Sequence, residues 1–72
     1  MTENQTYQIR IDCKKKLFRA YKAMPESELR IIINEVIAEN RKISLDSARN
    51  QIKIRPVELR MFKERVDPTY EA

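Results

Sequence analysis

From residue 6 to 12 the chain alternates, "TYQIRID": Tyr7, Ile9 and Ile11 fall on one side, and Thr6, Gln8, Arg10 and Asp12 on the other. A period of two predicts a half-buried strand. Asp12 reads as the N-cap of a helix over 13–23, its carboxylate accepting from the first free amides. In that helix Cys13, Leu17, Ala20, Tyr21 and Met24 recur at three- and four-residue spacing, with Phe18 beside them and Lys15, Arg19 and Lys22 opposite. "MPES" interrupts the pattern, because Pro25 cannot continue a helix and disfavours one at Met24. Ser27 as a cap, or Pro25 in the first turn, then opens a second helix, with Glu26 and Glu28 near its positive end. This helix runs to about Asn40 on a stripe of Leu29, Ile32, Ile33, Val36 and Ile37. Ile31 widens the stripe beyond what one small helix could cover.

Beyond residue 43 the pattern weakens. "SLDSARNQ" reads as a short helix capped by Ser44 or Asp46. "QIKIR" alternates and nearly repeats the "QIRI" of residues 8–11. Pro56 suits the first turn of a last helix, "VELRMFKERV", whose buried set is Val57, Met61 and Phe62, or Leu59, Phe62 and Val66. With no glycine in the chain, any left-handed turn falls on a residue that carries a Cβ.

Seventy-two residues allow one domain with a small core. Cys13 is the only cysteine and there is no histidine, which argues against a zinc site, the usual general base and the usual nucleophile–base pairs. Neither a metal, a cofactor nor an enzymatic activity is expected. Cys13 reads as a small buried hydrophobe in a reducing compartment. The net charge is +4, unevenly spread: residues 1–24 hold six Lys/Arg against two acids, residues 25–46 three against five, and residues 47–72 six against four. A basic front favours an anionic partner. No apolar run has transmembrane length, so the expectation is a soluble, cytoplasmic protein with no membrane partner.

A lone strand needs a partner for its amides and carbonyls. "QIKIR" of the same chain is one choice; the same strand of a second copy, across a twofold axis, is the other. Strand, basic helix, turn and long apolar helix, in that order over residues 6–41, resemble the ribbon-helix-helix family of the Arc and MetJ type. "IRID" followed by "SELRIIINEVIAENRKIS" looks most like its RelB/DinJ antitoxin branch, although "MPES" stands where the family usually has glycine. The resemblance implies an antiparallel two-stranded ribbon in the DNA major groove. By position, Thr6, Gln8 and Arg10 would read bases and Ser27, opening the second helix, would meet a phosphate. A ribbon does fit the major groove, and Gln and Arg pair in bidentate fashion with adenine and guanine. Lys14, Lys15 and Lys16, oddly placed at a positive helix end, would then be offset by phosphates. Ile9, Ile11, Leu17, Tyr21, Ile32, Ile33, Val36 and Ile37 would form the dimer core. A second resemblance, of "ISLDSARNQIKIRPVELRMF" to a helix-turn-helix, places Arg55, Glu58, Arg60 and Lys63 toward DNA.

The expected fold is therefore mainly α with one short strand: a ribbon-helix-helix (βαα) intertwined dimer plus a C-terminal helical extension. Residues 1–5 would be a flexible N-terminus, 6–42 the dimerisation and DNA-binding unit, and 43–72 the extension, docking on a toxin or other protein. The expected function is a sequence-specific DNA-binding protein, a small transcriptional repressor or antitoxin acting as a homodimer on double-stranded DNA. The alternative is a protein-interaction module or small inhibitor that binds an acidic partner. An intrachain pairing of the two alternating segments would favour that alternative.

Overall fold

The long helix Glu26–Arg41 is the spine of the fold in the computed structural model, which describes residues 10–66. Four helices follow one another: α1 (Lys14–Ala20), α2 (Glu26–Arg41), α3 (Leu45–Arg49) and α4 (Pro56–Val66). α1, α3 and α4 all pack on α2. Its apolar stripe supplies Leu29, Ile33, Val36 and Ile37 to the core. Leu17 comes from α1, Ala48 from α3, Ile54 from the segment before α4, and Phe62 from α4. Tyr21 closes one end of this core, its ring edge-on to Phe62 at 5.2 Å between centroids.

The boundaries follow local chemistry. α1 is shorter than its apolar spacing predicts, ending at Ala20, with turns through Tyr21 and Met24 leading to Pro25. Cys13 rather than Asp12 occupies its N-cap and offers no side-chain bond; Asp12 instead pairs with Lys16 one turn on, at 3.3 Å. Pro25 is the N-cap of α2, its carbonyl accepting from Glu28 and Leu29. α2 ends on Lys42 in the left-handed region (φ 59°, ψ 48°), and the amides of Lys42 and Ile43 both close on the Ala38 carbonyl. Glycine normally takes that position. Ser44 caps α3 by accepting from the Ser47 amide at 3.0 Å. α4 begins at Pro56, where proline's missing N–H costs nothing.

The ribbon-helix-helix expectation is overturned. Among the described residues there is no strand, only a single antiparallel bridge between Cys13 and Lys53 of the same chain. The Lys14 amide donates to the Ile52 carbonyl at 3.0 Å, and the Ile54 amide to the Asp12 carbonyl at 2.9 Å. The Asp12 carbonyl and the Lys14 amide thus find their partners within one chain. Among the described residues this intrachain pairing runs through 12–14 and 52–54, at the end of the first alternating segment and within the second.

The part of the α2 stripe formed by Leu29, Ile33, Val36 and Ile37 is likewise covered from within, while Ile31 stays exposed. Leu17, Ile33, Val36 and Ile37, expected at a dimer core, are buried in the chain's own core, with Ile11, Tyr21 and Ile32 packed half-buried against it. Ile9 lies outside the described residues. Residues 44–66 are part of this core rather than an extension to it. The helix-turn-helix geometry is absent too: six residues separate α3 from α4, and each packs on α2 instead of on the other. No helix among the described residues is long and apolar enough to cross a membrane.

Candidate nucleic-acid interface

Of the base-reading residues expected of a ribbon, only Arg10 falls among the described residues. Thr6 and Gln8 lie outside the described residues, and Arg10 is exposed in a segment that forms no strand. The lysine triplet divides into three fates. Lys14 turns inward: its Nζ donates to the carbonyls of Ala48 at 2.9 Å and Arg49 at 3.3 Å, and to the buried Asn34 Oδ1. Its charge therefore sits at the negative end of α3, which answers why a cation is tolerated at the start of α1. Burial, then the neighbouring Arg30 and Arg41 charges, holds the Lys14 amine below its usual range. Lys16 is tied to Asp12, whose carboxyl is held down first by that hydrogen bond. Only Lys15 is exposed and makes no ion pair among the described residues. Ser27 is exposed in the first turn of α2.

α4 carries the other cluster of cations. Phe62 and Glu58 face inward, with Leu59 and Val66 half-buried beside them, so helical geometry turns Val57, Arg60, Lys63 and Glu64 outward. Arg55 stands exposed just before the helix. Arg55, Arg60 and Lys63 make no ion pair among the described residues, whereas Arg65 is held by Glu39 and Glu35 of α2. The outer face is thus basic, with Glu64 its one carboxylate.

Glu58 was expected to face DNA in the helix-turn-helix reading, and it is instead fully buried. Its Oε1 accepts from the Arg55 amide at 2.8 Å, the reciprocal half of a capping box at the third helical position. Arg41, from the last turn of α2, grips both oxygens, Nε to Oε2 at 2.7 Å and Nη2 to Oε1 at 3.0 Å. Asn40 adds a third donor at 2.9 Å, and Arg41 also reaches Gln51 Oε1 and the Lys53 carbonyl. Burial pushes the Glu58 carboxyl up, but the bonds from Arg41, the Arg55 amide and Asn40 together outweigh it and hold it below its ordinary value. This pair is structural: no described buried side-chain nitrogen or oxygen lacks a partner. The Arg41–Glu58 pair was missed from the sequence, although glutamate two residues after Pro56 is a capping-box signal.

No group of three or more Cys, Asp or Glu positioned to hold a metal occurs among the described residues. Cys13 is a free, half-buried thiol. Comparison with protein-family models, with curated proteins and with solved structures finds no match to this chain.

Proposed function

We propose that the chain is a small DNA-binding protein acting in transcriptional repression, with α4 as the element that enters the major groove. The observation that carries this reading is the fate of Glu58. Drawing that carboxylate into the core leaves α4 an outer face on which Arg55, Arg60 and Lys63 have no acidic partner among the described residues. Eleven residues span about 16 Å, long enough to cross a major groove about 12 Å wide. Arg60, near mid-helix, is placed to pair with a guanine edge, and Val57, 40% exposed, to meet a thymine methyl. Arg55 and Lys63, toward the two ends, suit phosphates. One such helix reads only a few base pairs, so specific repression calls for two copies side by side on one operator. A cytoplasmic, reducing setting belongs to the same reading.

The test is a titration of duplex DNA at two salt concentrations with wild type and an Arg60→Ala/Lys63→Ala variant. Each lost phosphate contact lowers the slope of log K against log salt by about 0.9. A variant that binds as tightly as wild type, with the same slope, removes α4 as the DNA element.

A further inference from the structure

Three aliphatic side chains stand out of the surface together: Ile31 of α2 is 59% exposed, Leu45 at the start of α3 48%, and Ile52 of the bridged segment 68%. They come from three parts of the sequence, so their meeting is a product of the fold. They rim a groove of about 620 Å³ with Phe18 at one end and Asn34 in its wall. At the Phe18 end it adjoins a shallower hollow lined by Lys15, Arg19, Glu26 and Arg30, sharing Phe18 and Arg30 with it. The Arg30 guanidinium lies over the Phe18 ring at 5.3 Å. The trough therefore joins an aliphatic cluster, with Glu35 and Arg49 also in its lining, to a hollow in which Lys15, Arg19 and Arg30 outnumber the one carboxylate, Glu26. None of the outward-facing residues of α4 lines either hollow.

We infer that this trough docks an acidic amphipathic helix of a partner protein. The partner's apolar stripe would cover Ile31, Leu45 and Ile52, and its carboxylates would lie over Lys15 and Arg19. Aliphatic surface gathered in this way is a feature of protein contacts rather than of phosphate contacts. Charge selects the kind of protein. Lys15 and Arg19 make no ion pair among the described residues, while the carboxylates that line the trough, Glu26 and Glu35, are already engaged by Arg30 and Arg65. A second copy laid on this face would bring the same cations and the same occupied acids. An acidic segment supplies what the face lacks, and a helix presents apolar and acidic residues on one side at the spacing a trough reads.

The experiment uses the full chain, labelled for amide NMR, and two synthetic peptides of about four helical turns. Both carry one leucine stripe; one has glutamates flanking an end of it, the other lysines. The expected result is saturable binding of the glutamate peptide, with shifts at residues 31, 45 and 52 and at 15 and 19. The lysine peptide should bind at least about tenfold more weakly. An Ile31→Ser/Ile52→Ser variant, changed only at the surface and melting as wild type does, should lose binding by a similar factor. Arg60→Ala/Lys63→Ala should leave peptide binding unchanged, which separates this surface from the DNA reading. Equal binding of both peptides, or no shift in the trough, overturns the inference. A chain that sediments as a dimer and becomes a monomer in the Ile31→Ser/Ile52→Ser variant also overturns it, by making the trough a contact between copies.

Discussion

Glu58 and Arg41 join the end of α2 to the start of α4 through two side chains withdrawn almost wholly from water, 0% and 13% exposed. Removing one member of such a pair strands the other charge, which costs about 3–5 kcal/mol. A small domain has a total stability of only about 5–15 kcal/mol. Glu58→Ala should therefore lower the urea midpoint sharply or prevent folding at 25 °C. The pH dependence has a definite sign. The folded carboxyl titrates below the ordinary glutamate value of 4.5, so its contribution is complete above that value and is lost as pH falls through the folded pKa. Unfolding measured from about pH 6 down to about pH 2 should show stability falling in this window. A Glu58→Gln chain, less stable at neutral pH, should show a flatter acid limb. Had Glu58 been a solvent residue of a DNA-facing helix, neither change would matter.

Among the elements, the turn after α2 is where the chain meets its most evident local cost. Lys42 holds a left-handed conformation that strains a Cβ, and no other described residue has a positive φ. Lys42→Gly should stabilise the protein by about 0.5–1 kcal/mol, read as a higher denaturant midpoint with an unchanged slope. How far these elements could be read from the sequence varied with the kind of signal. α2 followed from the spacing of Leu29, Ile33, Val36 and Ile37, and α4 from proline at its first position, because periodicity and punctuation are local properties. The cost of a chain without glycine was also foreseeable, though not its place at Lys42. The pairing of residues 12–14 was not settled by local pattern. "QIRI" and "QIKI" carry one alternation, which says that a segment seeks a backbone partner but not whether that partner lies in the same chain. Ile31 widens the stripe of α2 beyond what one small helix covers. The same surplus explains its exposure: α1, α3 and α4 cover the other side and leave it out.

At the scale of the whole molecule, the core is closed within one chain, and its C-terminal half is part of that closure. Ala48, Ile54 and Phe62 are buried against Leu17, Leu29 and Ile33. A chain truncated after Lys42 loses all three, with the Arg41 partner, and should show no cooperative unfolding transition. If the truncated chain folds, the core has been wrongly apportioned. For the intact protein the unfolding midpoint should stay constant over a hundredfold range of protein concentration, since a transition linked to association would rise with it.

Lys14 gives this closure a chemical readout. Its amine is occupied by the carbonyls of Ala48 and Arg49 and by Asn34, while its neighbours Lys15 and Lys16 stand in water. An acylating reagent should modify the two exposed lysines first and Lys14 more slowly, because its amine must leave the carbonyls of Ala48 and Arg49 and the Asn34 side chain to react. The ratio of those rates, followed by mass spectrometry, would then measure how firmly the Lys14 amine is held.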